Sequence, residues 1–336
     1  MKYPKLLQIG DTIGVCAPST GTGEAFYPRL QNAVKNVRAL GYRVVETASV
    51  RGDEKCVSAD AQTRAAEFMS LYENPAVSAI LPPWGGEFLM EILPLLDFAR
   101  LRALPPKWLC GYSDVSTLTF ALTLGCDLAT LHGSNLMNMG YARIHETDLR
   151  LFEALSQQTT VQQSAPHWGA YAGWDITGEI YDLTRENRWQ ALDGKTQHGF
   201  SGRILGGCMD TLCKLLGTRF APVEVFLEKY AADGIVWTLE SCEMGAPDIY
   251  RTLWQMRECG WFRHCSGILY GRPDGYAPKR DFALPDALHA ALDSLRIPVI
   301  YDADIGHIPP QMQFINGALG QIAFADGRAS VTQKKG

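Results

Sequence analysis

Apolar and polar positions follow a regular order in the first half of the chain. Short apolar runs, typical of buried strands, alternate with longer stretches in which apolar residues recur at helical spacing. Helices are predicted at residues 26–40, 61–72, 88–98, 115–124 and 146–156. Five strand–helix units in series predict an α/β fold, in which a parallel sheet is covered by helices on both faces.

The pattern lapses at residues 157–175, where the chain is polar and rich in turn residues. Beyond this stretch, the Asn316-Gly317 and Asp326-Gly327 pairs favour tight turns between short strands. The second half is therefore predicted to be an α+β unit closed by an antiparallel meander. The predicted organisation is an N-terminal parallel-sheet α/β domain at residues 1–160, a linker at 161–175 and a smaller C-terminal α+β domain at 176–336.

The composition is that of a folded chain and argues against polyanionic partners. Of the 336 residues, 46% are hydrophobic and 20% are charged, a balance that excludes collagen-like and largely disordered chains. The 31 Lys and Arg against 36 Asp and Glu give a net charge of −5, and the chain has no basic block. Nucleic acids and anionic membranes are therefore not expected as partners.

The cysteines and the N-terminus predict a cytoplasmic protein. The nine cysteines are odd in number, contain no C-x-x-C pair and give no recognisable disulfide framework. The N-terminal segment lacks the apolar stretch of a signal peptide, and no uncharged run is long enough to span a bilayer. We therefore expect reduced thiols in a reducing compartment.

The motif with the clearest chemical potential is Gly-Tyr-Ser-Asp at residues 111–114, where an apolar strand runs directly into a helix. A serine at such a turn lies at the carboxyl end of the sheet, where open α/β folds bind ligands. The unpaired N–H groups of the helix would favour negative charge beside Ser113. The alternative is that Ser113 or Asp114 only caps the helix.

Three further strand ends carry candidate residues. Gly85 and Gly86 follow the third predicted strand, so their backbone can approach a ligand and supply an oxyanion-hole donor, or can simply form a tight turn. Glu240 ends a strongly apolar strand and needs a partner there, which can be an arginine or a histidine. His307 lies on a loop between Gly306 and Pro309 and is suited to act as a general base.

Two of these assignments have rivals in the sequence, since Glu243 competes with Glu240 and His132 competes with His307. Serine, glutamate and histidine at three strand ends form a set of nucleophile, base and orienting acid. No complete dinucleotide or P-loop fingerprint is present. Cys259, His264 and Cys265 do not fit a zinc spacing, so neither a metal nor an organic cofactor is predicted.

The chain resembles the LD-carboxypeptidases, a serine peptidase family that includes murein tetrapeptide carboxypeptidases and microcin-C immunity peptidases. Six motifs occur in the order typical of the family: PPWGGEF, PKWLCGYSDVSTL, LHG, RILGGCMDTLCKLLGT, TLESCE with IYRTLWQM, and DIGHIPP. The resemblance covers nearly the whole chain. It implies a nucleophile in an N-terminal α/β domain and an acid and a histidine in a smaller C-terminal domain, with a homodimer as the assembly.

The resemblance also implies roles for individual residues. Ser113, Glu240 and His307 would form the triad, and the N–H groups of Gly86 and Asp114 would form the oxyanion hole, with Gly85 beside the substrate. Two positions depart from the family pattern: Ser241 replaces an aspartate, and Ser134 replaces a proline.

The long segment at residues 174–200 resembles the microcin-C immunity branch, in which a loop tryptophan stacks on the adenine of the substrate. Trp189 is the best match for this ring, with Trp174 and Trp168 as rivals, and burial of Trp189 as a loop anchor is the alternative. The predicted function is hydrolysis of the amide bond of peptidyl or aminoacyl adenylate-type substrates. Release of D-alanine from murein tetrapeptide, or a non-catalytic two-domain binder, are the alternatives.

Overall fold

The N-terminal half is built on a parallel sheet in a computed structural model that describes residues 1–336. Its strands are β1 (Thr12–Val15), β2 (Arg43–Glu46), β3 (Val77–Ile80), β4 (Trp108–Leu109) and β5 (Thr130–His132). Its helices are α1 (Tyr27–Ala39), α2 (Ala61–Glu73), α3 (Phe98–Ala103), α4 (Val115–Cys126) and α5 (Glu146–Ser156). Four of the strands form a parallel sheet in the order β2-β1-β3-β4.

Two predicted elements of this half are corrected. The sheet has four parallel strands rather than five, because β5 meets it only through a single bridge between Cys110 and Leu131. The helix predicted at residues 88–98 is instead a 3₁₀ helix over Leu89–Leu95, followed by the separate helix α3. Pro94 lies inside this segment and has no N–H to donate, which prevents a continuous α-helix.

The C-terminal half contains a larger, mixed sheet. Its strands are β6 (Thr159–Gln163), β7 (His167–Tyr171), β8 (Tyr181–Glu186), β9 (Gln190–Ala191), β10 (Gln197–Cys208), β11 (Ile235–Glu240), β12 (Cys265–Gly271), β13 (Val299–Ala303), β14 (Phe314–Asn316), β15 (Leu319–Ala325) and β16 (Arg328–Lys334). Its helices are α6 (Met209–Leu212), α7 (Val223–Lys229), α8 (Ala246–Glu258) and α9 (Leu284–Leu292). The order of the eight-stranded sheet is β6-β16-β15-β10-β11-β12-β13-β9.

The centre of this sheet is parallel and its edges are antiparallel. Strands β10 to β13 run parallel to one another, whereas β15, β16 and β6 pair antiparallel on one side and β9 pairs antiparallel on the other. The predicted α/β and α+β fold classes, including antiparallel strands at the C-terminus, are confirmed. Strand β14 does not join its neighbour β15 but pairs antiparallel with β5, and so links the two halves.

The segment predicted as a linker, 161–175, contains regular structure. Strand β6 belongs to the C-terminal sheet, and β7 forms a separate two-stranded hairpin with β8. The boundaries at residues 160 and 176 stay a prediction. The hairpin is attached to the rest of the C-terminal half, since the Gly169 N–H donates to the carbonyl of Pro309 over 3.1 Å.

Helix α4 is the element on which the two halves meet. Eleven of its twelve residues are buried, so it has no solvent-facing side, and Phe120 stacks on Trp261 with ring centroids 5.4 Å apart. Trp261 in turn stacks on Trp237 of β11 at 5.7 Å. One apolar core therefore continues from the N-terminal half into the C-terminal half, and the start of α4 lies at their junction. None of the helices combines the length and apolar character needed to cross a membrane.

Candidate active site

Ser113 lies on a strained turn between β4 and α4. Its φ angle is +62°, in the left-handed region that costs free energy for a residue with a side chain. The side chain is partly exposed and opens into a cleft of about 840 Å³. We call this the active cleft, and its walls come from residues within 86–90, 113–117, 208–214, 242–244 and 248–255.

Gly85 approaches Ser113 so closely that no other residue fits. A Cβ at Gly85 would lie 2.6 Å from the Ser113 Cβ, 2.8 Å from its Oγ and 2.9 Å from the Asp114 nitrogen. Gly86 has φ +144°, a conformation that only glycine adopts readily. The N–H groups of Gly86 and Asp114 donate to no acceptor in the protein, so both are available to an oxygen bound beside Ser113.

The Asp114 carboxylate does not cap α4 but joins the loops around the turn. It accepts hydrogen bonds from the Ser19 hydroxyl at 2.6 Å, the Leu89 N–H at 2.8 Å and the Thr117 hydroxyl at 3.1 Å. Burial raises the pKa of this carboxyl, and the three hydrogen bonds oppose the rise. The side chain thereby holds in place the backbone that carries the two free N–H groups.

Glu240 and His307 form a hydrogen-bonded pair. Glu240 is the last residue of β11, and His307 lies in the loop between β13 and β14. The distance from His307 Nδ1 to Glu240 Oε2 is 3.0 Å, and Glu240 is fully buried. Gly306, which precedes the histidine, packs directly on the carboxylate, since a Cβ there would lie 2.5 Å from Oε2. Glu243, the rival acid, is exposed at the cleft surface and does not contact the histidine.

The two groups shift each other's proton affinity in opposite directions. Burial lowers the pKa of His307, but the negative charge of Glu240 and hydrogen bonds with Cys242 and Glu240 outweigh it and raise the pKa well above 6.5. Burial raises the pKa of Glu240, but the charge and hydrogen bond of His307 outweigh it and hold the pKa below 4.5. The carboxylate therefore stays ionised and stabilises the imidazolium.

Tyr112 connects Ser113 to the histidine, a role that the sequence analysis missed. Its ring packs edge-on against the His307 imidazole with centroids 4.9 Å apart. Its hydroxyl is 3.0 Å from the hydroxyl of Tyr171 on the β7–β8 hairpin. The only sequence signal was its place in the strand-to-helix motif, beside Ser113.

His132, the rival histidine, is fully buried and contacts the acid rather than the cleft. Its Nδ1 is 3.2 Å from the Ser116 hydroxyl, which also accepts the Cys208 N–H. Its Nε2 lies 4.0 Å from Glu240 Oε1. Neither of these two atoms has a hydrogen-bond partner in the structure. Burial lowers the pKa of His132 to about 4, so it is neutral at pH 7 and is placed to position Glu240.

We expect His132→Ala to lower kcat by about 10- to 100-fold, because it removes the imidazole that lies 4.0 Å from Glu240 Oε1 and contacts the buried Ser116 hydroxyl, and the loss of a buried polar partner costs about 1–3 kcal/mol. KM should stay unchanged, since His132 does not line the active cleft. His132→Gln, which keeps an N–H donor, should recover part of the loss. Steady-state kinetics on folded protein test this expectation, with His289→Ala at an exposed histidine as the matched control. An unchanged kcat in His132→Ala would exclude the positioning role.

The burial of Trp189 favours the alternative reading of this residue, an anchor of the loop. Its ring is 1% exposed and packs in an apolar cluster with residues such as Ile204 and Val236. Trp174, one of its rivals, is 66% exposed at the turn of the β7–β8 hairpin. Trp168 is partly buried between the guanidinium groups of Arg185 and Arg272.

Both departures from the family pattern have satisfied side chains. The Ser241 hydroxyl is 2.9 Å from the Tyr270 hydroxyl, and the Ser134 hydroxyl donates to Asp148 over 2.5 Å. The structure does not gather Cys259, His264 and Cys265 into a group of possible metal ligands, and the group that it does form is Cys208, Asp210 and Cys242.

Two family models match this chain. The LD-carboxypeptidase N-terminal domain of peptidase family S66 matches residues 13–133, and the LD-carboxypeptidase C-terminal domain matches residues 201–322. The first match contains Ser113, and the second contains Glu240 and His307. Together they cover more than half of the chain.

Known proteins of the same length and fold agree with this assignment. A putative carboxypeptidase of Vibrio cholerae is 28% identical over 335 residues, which cover 96% of each chain. The crystal structure of an MccF-like protein from Bacillus anthracis is similar with a TM-score of 0.86 at 24% identity, over 100% of each chain. The microcin C7 self-immunity protein MccF in complex with aspartyl sulfamoyl adenosine has a TM-score of 0.83 at 21% identity, over 98% of each chain. The chain belongs to the LD-carboxypeptidase family, peptidase family S66, and is an enzyme of that family.

Proposed function

We propose that this protein is a serine hydrolase that cleaves the amide bond of peptidyl or aminoacyl adenylate-type substrates. The observation that carries the proposal is the 3.0 Å hydrogen bond between buried Glu240 and His307, whose ring packs 4.9 Å from that of Tyr112, the residue before Ser113 on the strained turn. Ionised acid, histidine and partly exposed serine are the three components of nucleophilic catalysis at neutral pH.

The geometry supports the following proposed sequence of proton and bond transfers. His307 takes the proton of the Ser113 hydroxyl through Nε2 while Oγ attacks the substrate carbonyl, and Glu240 stabilises the resulting imidazolium through Nδ1. The N–H groups of Gly86 and Asp114 hold the developing oxyanion. His307 then protonates the leaving nitrogen, and water, deprotonated by the same histidine, hydrolyses the acyl-enzyme and releases Ser113.

An aromatic cluster with one exposed ring, Trp174, supports a nucleotide-like leaving group. Trp174 and Trp84 both pack on Phe26, with ring centroids 5.0 Å away, and the Arg29 guanidinium lies 5.2 Å from the Trp174 ring. Trp84 directly precedes Gly85, so the cluster is joined to the proposed oxyanion loop. We propose that Trp174, rather than Trp189, stacks on the purine. MccF, which shares this fold, has been solved with an aminoacyl sulfamoyl adenosine bound.

An assay with two substrates distinguishes the proposed activity from LD-carboxypeptidase action on murein tetrapeptide. We expect the wild-type protein to release the amino acid from aspartyl sulfamoyl adenosine and to leave murein tetrapeptide largely intact, as measured by liquid chromatography and mass spectrometry. Trp174→Ala should raise KM for the adenosine substrate by about 10- to 100-fold, because one stacked base contributes about 1–3 kcal/mol.

Trp254→Ala is the matched control, since Trp254 is a 47% exposed tryptophan on α8 that neither lines the active cleft nor packs on Phe26. Preferential release of D-alanine from the tetrapeptide would replace the adenylate proposal with LD-carboxypeptidase action. No hydrolysis of either substrate, together with binding of one, would favour the passive binder. The cytoplasmic location and the homodimer stay predictions.

A further inference from the structure

The wall of the active cleft is rich in sulfur. Five sulfur-containing side chains line it: Met90, Cys208, Cys213, Cys242 and Met244. Nothing in the proposed hydrolysis uses a thiol or a thioether, because Ser113 supplies the nucleophile. Soft sulfur ligands are typical of sites that select thiophilic metal ions over Mg²⁺ or Ca²⁺.

Three of the cleft residues bring possible metal ligands together. The Sγ atoms of Cys208 and Cys242 and a carboxylate oxygen of Asp210 all lie within 4.8 Å of one another. Cys208 ends β10 opposite Glu240 of β11, and Cys242 follows Glu240 by two residues, so the parallel register brings the two thiols together. Sequence spacing alone did not reveal this group, since 34 positions separate the thiols.

Asp210 is held in place by the backbone beside Cys242. Its Oδ2 accepts the Cys242 N–H at 3.0 Å and its Oδ1 accepts the Glu243 N–H at 3.1 Å. Oδ2 is also 3.6 Å from Cys208 Sγ. Ligands on a tetrahedral Zn²⁺ lie about 3.3–3.8 Å apart, given bond lengths of about 2.0–2.3 Å. This pair therefore already has the required spacing, and the second thiol needs only a small movement.

We propose that Cys208, Asp210 and Cys242 form a binding site for one thiophilic divalent cation, such as Zn²⁺, and that the bound cation inhibits the enzyme. Two thiolates and one carboxylate supply three ligands, and the fourth position faces the active cleft and is open to water or substrate. Binding replaces the two S–H bonds with metal–sulfur bonds, and the two protons go to the solvent.

Inhibition follows from the position of the site next to His307, and this part of the inference rests on the proposed function. Cys208 pairs with Glu240 across β10 and β11, and Cys242 lies two residues beyond Glu240, whose carboxylate is hydrogen-bonded to His307 over 3.0 Å. The proposed mechanism needs that imidazole to become positively charged in the transition state. A divalent cation held by Cys242 would oppose this charge and would also occupy part of the cleft.

Titration with CdCl₂ tests the site without any substrate. The metal-free protein is kept reduced with a phosphine and titrated with Cd²⁺. The ultraviolet absorption band of thiolate-to-cadmium charge transfer should appear and should stop growing at one Cd²⁺ per protein chain. Cys208→Ser and Cys242→Ser should each lower the affinity for Cd²⁺ by about 100-fold. Removing a residue that only supports a metal ligand already costs about 10- to 100-fold, and these two residues are proposed to bind the metal directly. Cys213→Ser, in the same cleft, and Cys259→Ser, at the exposed surface, should retain the band.

The binding test is independent of the catalytic proposal. Ser113→Ala should bind Cd²⁺ as the wild type does, so failure of the proposed chemistry does not affect this result. ZnCl₂ should displace Cd²⁺ and should inhibit hydrolysis in the wild type at lower concentration than in Cys242→Ser. Cys208 is fully buried, so Cys208→Ser can prevent folding. Cys242 is partly exposed in a loop, and Cys242→Ser therefore tests the site even if Cys208→Ser does not fold. Wild-type binding in folded Cys242→Ser, or no saturation at one equivalent, would overturn the site.

Discussion

Ser113→Ala is expected to lower kcat by about 10⁶-fold, the loss seen when a serine peptidase is deprived of its nucleophile. No neighbouring residue can replace it, because the strained turn directs Ser113 into the cleft while the nearby Asp114 carboxylate is fully engaged in hydrogen bonds. Hydrolysis of aspartyl sulfamoyl adenosine measured under single-turnover conditions gives the rate. A serine-directed phosphonate should label the wild type on Ser113 and should not label the variant.

Ser201→Ala provides the matched control, since this serine is exposed on β10 away from the cleft. Both variants should show the circular dichroism spectrum and thermal unfolding of the wild type. The φ angle of +62° constrains alanine as it does serine, so the substitution introduces no new backbone clash. Retention of more than a tenth of the wild-type rate in Ser113→Ala would show that another group carries the reaction.

Glu240→Gln is expected to lower kcat by about 10⁴-fold and to change its pH dependence. The reaction requires neutral His307, so in the wild type kcat/KM should rise with pH through an inflection above 6.5, because Glu240 raises the pKa of the histidine. Removing the negative charge removes the main cause of that rise. The pKa of His307 should therefore fall, and the inflection should move to lower pH.

The pH profiles are measured in EDTA over about pH 5–9, the range that brackets a histidine with a raised pKa. An NMR titration of His307 in the Ser113→Ala background gives the same pKa without turnover. Glu243→Gln is the matched control, because Glu243 is three residues away and does not contact the histidine. It should leave the inflection where it is. An unchanged inflection in Glu240→Gln would contradict the proposed pairing.

The strand pattern and the family motifs together proposed Ser113, Glu240 and His307 as the site, and this assignment stays a prediction. Ser113 and His307 follow apolar strands and Glu240 ends one, and each carries chemistry that a strand end does not need. The helix at residues 88–98 failed because Pro94 divides an otherwise helical pattern. Strand β5 was assigned to the parallel sheet because its composition does not reveal that its partner is β14, more than 180 residues away.

Burial in the folded protein distinguishes candidate residues that the sequence could not rank. Tryptophan is common both in cores and at ligand surfaces, so the sequence alone did not separate Trp189, which is buried, from Trp174, which is exposed. The strand pattern likewise left His132 as a rival of His307, the histidine that the family motif favoured. The tertiary structure gives them different surroundings, since the fully buried His132 has a lowered pKa and lies 4.0 Å from Glu240 Oε1, whereas His307 is hydrogen-bonded to Oε2.

The sequence by itself determined the fold class, the family and a short set of candidate residues, because periodicity and strand-end motifs are local properties of the chain. Tertiary structure alone decided which remote residues come together: the end of β11 and the loop before β14 bring Glu240 to His307, and Tyr112, which precedes Ser113, packs against the His307 ring. It also brought Cys208 and Cys242 together across neighbouring strands. The physical reason is that distances between remote residues, burial and pKa shifts depend on packing, which no local pattern records.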